Sequence, residues 1–149
     1  MAMTIVLPPD ETKARIDVPD RAGNILHSFT VVWHTPNDDE AIEVQQEMAR
    51  IADLSKLNGR EFKSGSEAWG YVLEGRNAIK ALIRRWFKRA DDPDYEPSDL
   101  DRMLAHDNYR LTLLRSLRDV TSGEVARKNE LTPEQSGQQG ASPAIAPQD

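Results

Sequence analysis

At 149 residues the chain has room for one domain with a real core, but not for two of full size. A hydrophobic content of 38% is low and a charged content of 30% is high for a globular domain, which implies a small core or a stretch of chain without one. The net charge of −6 gives no overall attraction to a phosphate backbone or an anionic bilayer, and the lack of cysteine excludes disulfides, thiolate metal sites and thiol nucleophiles.

The opening run Met1 to Pro9 has no basic region and only a short apolar stretch before two prolines, unlike a secretory signal. No segment approaches the ~18 consecutive apolar residues of a membrane span. A cytoplasmic protein without membrane contact is expected.

Lys13 to Val18 alternates strictly, with Ala14, Ile16 and Val18 on one face, and reads as a half-buried strand. Ser28 to His34 is rich in β-branched and aromatic residues and places Phe29, Val31 and Trp33 on one side. Between them Pro19 to Asn24 holds proline, aspartate, glycine and asparagine, the chemistry of a turn. The two strands make an antiparallel hairpin, which needs a covering layer to be stable in water.

Thr35 to Glu40 stops the strand and starts a helix, with Asn37 or Asp38 as cap and acids at the positive helix end. Its apolar stripe is Ile42, Met48, Ile51, Ala52 and Leu54. Ser55 to Ser66 is polar and reads as a loop. Glu67 to Ala90 is the longest helical stretch, and two interior glycines, together with Asn77 as a fresh cap and Arg76 inside the apolar arc, predict a break near Gly75. Leu82, Ile83, Trp86 and Phe87 fall on its apolar side. A short helix follows through Leu104, with Ser98 as cap. Asp107 caps another, in which Tyr109, Leu113, Leu114, Leu117 and Val120 share a face. After Asn129 the composition collapses to Gln, Ser, Pro, Gly and Ala, which predicts disorder. The predicted architecture is α+β and mostly helical: an N-terminal antiparallel β-hairpin region (1–36), a domain of three to four amphipathic helices (37–129) and a disordered tail (130–149).

Chemistry is sparse. His27, His34 and His106 show no ligand spacing toward carboxylates, so neither a metal nor a cofactor is expected. No nucleophile elbow or P-loop occurs, and no catalytic residues are assigned. Arg76 to Ala90 carries six bases and no acid, with Trp86 and Phe87 interleaved, in the style of a nucleic-acid surface. Asp91 to Asp101 then carries six acids and no base, so the two blocks offset each other and nucleic-acid binding is not favoured. Acid–base catalysis or calcium binding by these carboxylates is also disfavoured against solvation and capping. The aromatics have two readings. Core packing is the ordinary one. The other is an apolar face for a partner helix, built from Phe29, Trp33, Leu82, Ile83, Trp86 and Phe87.

The layout FTVVW, PNDDEAIEVQQEM, ALIRRW, DDPDYEPSDLDRML, YRLTLLRSL and VARKN resembles that of phage tail assembly chaperones, over about Thr12 to Asn129. That resemblance implies a non-enzymatic protein of the host cytoplasm that binds the helical tape-measure protein and recruits tail tube subunits, with no cofactor. A different class is a small phage or mobile-element inhibitor that binds a host protein through its acidic surface. It predicts salt-sensitive binding, where an apolar groove predicts weak salt dependence.

Overall fold

The computed structural model describes residues 3–5, 9–56 and 62–122. Strands β1 (Glu11–Pro19) and β2 (Ile25–His34) form the expected hairpin, closed by a turn in which Gly23 takes a φ of +88°. Asp20 organises that turn by accepting hydrogen bonds from the N–H groups of Ala22 and Asn24, each at 2.9 Å. Register pairs Ile16 with Phe29 and Ala14 with Val31, and all four lie on the buried face. Val32, on the opposite face, is fully buried too, flanked in register by Lys13 and Arg89, residues whose aliphatic stems suit such a position.

Helix α1 (Asp38–Ser55) starts at Asn37 with a full capping box: Glu40 N–H donates to the Asn37 side chain, and the Glu40 carboxylate accepts from Asn37 N–H. Its buried face keeps Met48, Ile51 and Leu54 of the expected stripe and adds Val44, with a spacing of four and three from Val44 through Met48 to Ile51, while Ile42 and Ala52 point outward.

Helix α2 runs unbroken from Gly65 to Trp86, which corrects the expected break. Ser64 caps it by accepting from Glu67 N–H, and Gly75 is a packing site where the last turn of α1 comes close. Arg76 stays on the continuous helix by lying half-buried over the Trp69 ring, 5.9 Å from its centroid.

The helix also stops earlier than expected. Phe87 turns to extended geometry, and Phe87–Ala90 forms β3, which pairs antiparallel with β2 to give a sheet of order β1-β2-β3. No glycine or proline marks this change in the sequence. The free edge of β2 supplies the reason, because its N–H and C=O groups need partners and the chain leaving α2 passes beside them.

Short helix α3 (Ser98–Leu104) has Pro97, not Ser98, at its N-cap. Helix α4 (Asp107–Thr121) starts after His106, so Asp107 is its first residue and not its cap. One hydrophobic cluster joins Ala14 and Ile16 of β1 to Leu113 and Leu117 of α4, so hairpin and helices share a core. Gly123 and the predicted disordered tail lie outside the described residues. Among the described residues no helix is long and apolar enough to cross a membrane.

A methyl group on Gly75 would stand 3.9 Å from Leu54 Cβ and Ser55 Oγ, ordinary contact distances. Gly75→Ala should therefore stabilise the fold by about 1 kcal/mol, raising Tm by about 4 °C in a thermal melt. A drop in Tm would mean that α2 needs its glycine.

Candidate interaction surface

The six residues expected to form a partner-binding face are brought together, but inside the molecule. Phe29, Trp33, Leu82, Ile83, Trp86 and Phe87 are all buried, Trp33 and Ile83 completely. Trp33 meets Phe87 edge to face, with centroids 5.6 Å apart, and its Nε1–H donates to Ser116 Oγ at 3.0 Å. Phe87 in turn touches Tyr95 of the acidic connection, centroids 6.0 Å apart. Such contacts are those of a core.

Four of the six bases in the block are paired around this core. Arg84 pairs with Asp101 at 3.0 Å and Arg85 with Glu43 at 3.4 Å, while the Arg85 guanidinium lies 5.1 Å from the centre of the Trp86 ring. Lys88 and Arg89 project from β3, not from a helix end, and both reach Glu11 of β1. The Lys88 hydrogen bond and charge, followed by the nearby Arg89 charge, hold the half-buried Glu11 carboxyl below its ordinary value against some desolvation. Lys13 pairs with Asp91 at 3.2 Å. Exposed pairs of this kind contribute little singly. Here they place the charge blocks against opposite charge.

The acids of the connection mostly organise their own backbone. Asp92 accepts from Asp94 N–H at 2.8 Å, and Asp99 accepts from Glu96 N–H and from Arg102. They rim a groove of about 410 Å³ whose wall includes Phe29, Tyr95 and Tyr109. Burial first, and then the charges of Asp99 and Asp101, raise the Tyr95 phenol above its ordinary value. His27 stacks on Phe29 at 4.6 Å and bonds the Tyr109 hydroxyl at 2.9 Å, so this histidine serves as a lid on an aromatic cluster. Among the described residues no group of three or more acids and histidines could hold a metal ion.

Apolar surface does remain uncovered, at other positions than expected. Helix α2 has no fully buried residue before Gly75, where the last turn of α1 comes close, although Ala68, Tyr71 and Val72 are half-buried. The nine residues Gly65 to Leu73, about 14 Å of helix, extend beyond the Arg50–Glu74 ion pair that joins α1 to α2. They carry Trp69 at 55% exposure and, one turn on, Leu73 at 41%. Ile42 of α1 and Leu111 of α4 are exposed singly, as are Ile25 and Leu26 beside the hairpin turn. The sequence signal for the α2 stripe was present in the four-residue spacing of Trp69 and Leu73. Which side of the helix would be covered depended on where α1 ends. No family model, curated protein or solved structure matches the chain.

Two outcomes follow. Replacing Leu82 and Trp86 together by alanine should cost about 5–10 kcal/mol from the sum of two large core truncations, comparable with the whole stability of a domain. Circular dichroism should then show no cooperative melt; a folded double variant would mean that these side chains do not carry the core. For Glu11, whose folded pKa is lowered, the stabilisation is complete above the unfolded value and is lost as pH falls through the folded one. Glu11→Gln should flatten the decline in Tm over that acid range, and an unchanged decline would show that the Lys88 pairing contributes nothing.

Proposed function

We propose that this chain is a non-enzymatic binding protein, a phage tail assembly chaperone that holds the helical tape-measure protein and presents it to tail tube subunits in the host cytoplasm. The observation that supports this reading is the projecting start of α2. Trp69 and Leu73 lie one turn apart and stay exposed on a helix stretch with no fully buried residue, which is an arrangement suited to packing against a second amphipathic helix. Exposed tryptophan is costly to leave in water and is among the strongest anchors at protein interfaces.

The acidic surface contributes in a second way. A net charge of −6 keeps a complex with an aggregation-prone apolar helix in solution. In this reading the tape-measure protein is bound through the α2 projection, and the six buried residues Phe29, Trp33, Leu82, Ile83, Trp86 and Phe87 hold the platform that carries it.

The double substitution Trp69→Ala with Leu73→Ala should leave Tm within about 4 °C of the parent, since two exposed positions contribute within about 0.5 kcal/mol each. It should lower capture of tape-measure protein in a co-expression pull-down at least tenfold, with weak dependence on salt. Undiminished capture removes the α2 surface from the proposal. Binding that vanishes between low and moderate salt redirects it to a partner of the acidic surface.

A further inference from the structure

A second cavity, of about 510 Å³, lies between the hairpin turn, the middle of α2 and the start of α4. It is an exception in an acidic protein, because three guanidinium groups line it: Arg21 from the turn, Arg76 from α2 and Arg110 from α4. Only two carboxylates share the wall, and both are engaged. Asp20 accepts from two N–H groups of its own turn, and Asp107 pairs with Arg110. Among the described residues neither Arg21 nor Arg76 has a carboxylate within ion-pair distance; Arg76 has only the face of Trp69.

Arg110 is the most telling of the three. It is 4% exposed, and one terminal nitrogen donates to Leu104 O at 2.8 Å, but its Nε–H has no acceptor among the described residues. Burial first, and then the nearby charge of Arg76, lowers its pKa. A guanidinium does not lose its proton in a protein, so Arg76 and Arg110 both stay charged at this wall, with Asp107 bonded to Arg110 and no carboxylate bonded to Arg76 among the described residues. The third contribution is backbone. His106 gives helix α4 no side-chain cap, and although Asn108 Oδ1 accepts from Tyr109 N–H, the first residues of this 15-residue helix, Asp107 and Asn108, stand at the wall of the same cavity.

We propose that this cavity binds a phosphate-type dianion, held by Arg21 and Arg76 and by the N–H groups at the start of α4, with Arg110 supplying a buried positive charge behind them. The chemistry favours an oxyanion over a peptide carboxylate because two separate guanidinium forks and a helix end line one cavity, which suits a tetrahedral group with several acceptor oxygens. A free phosphate and a small phosphate monoester offer the same recognised group. This site is distinct from the α2 surface above, which it adjoins through Arg76 and Trp69, and it stands whether or not that surface binds tape-measure protein.

Calorimetric titration of the full chain with inorganic phosphate and, in parallel, with glycerol 3-phosphate tests the site. Saturable binding of one equivalent is expected, and Arg21→Gln with Arg76→Gln should weaken it at least tenfold while Arg115→Gln, outside the cavity, leaves it unchanged. Preference for phosphate assigns the site to the free ion; equal or better binding of the ester assigns it to a phosphorylated small molecule. An amide-resolved NMR titration of the unsubstituted chain should confine shifts to residues around the turn, Arg76 and the first turn of α4. No saturable binding of either probe, equal binding by the double variant, or shifts centred elsewhere would overturn the proposal.

Discussion

The indole of Trp33 is the constraint on which the described structure depends. A tryptophan with no exposed surface must pack on all sides and find an acceptor for its N–H, and both demands draw distant parts of the chain together. Ser116 of α4 supplies the acceptor and Phe87 of β3 supplies an edge-to-face wall. Trp33 thereby locks the hairpin to the last helix and to the strand that ends α2. Ile83 of α2 and Leu113 and Leu117 of α4, also fully buried, belong to the same cluster. A chain with only 38% hydrophobic residues concentrates them here.

Charge is arranged to leave that core undisturbed. The bases at the end of α2 and in β3 reach Asp101, Glu43 and Glu11, carboxylates drawn from α3, α1 and β1. Each pair is exposed and weak, but their distribution means that the basic block is not a free patch for nucleic acid. The exception is the turn-side cavity, where Arg21 and Arg76 lack carboxylate partners among the described residues. Local excess of one sign in a protein of the opposite net sign is the pattern of a site, whereas paired charge is the pattern of a surface.

The apolar surface that remains open follows from helix lengths. Helix α2 has 22 residues and α1 has 18, and α1 meets α2 at Gly75. Trp69 and Leu73 stay in water because they lie on α2 beyond the point where α1 ends against it. Placing a large aromatic there costs solubility, which the acidic composition offsets.

Much of this was legible in the sequence because it is local. Alternation of Ala14, Ile16 and Val18 against charged neighbours specifies a strand with one buried face, and the Asn37 to Glu40 capping box specifies where α1 begins. The phase of α1 was less legible: Ile42 was as apolar as Val44, and only the position of α2 and α4 selected the latter. Phe29, Trp33, Leu82, Ile83, Trp86 and Phe87 were recognised as one apolar set, yet composition does not say whether such a set faces a core or a partner. The described fold closes the sheet and helices over all six. The unbroken α2 and the strand Phe87–Ala90 were beyond reach for the same reason, since Gly75 is tolerated by close packing with α1 and β3 exists to pair the edge of β2. Local pattern determined which segments were strand or helix and which faces were apolar; tertiary packing alone decided where α2 ended, which apolar residues stayed in water and which arginines were left without a partner, because each of those depends on groups far apart in the chain.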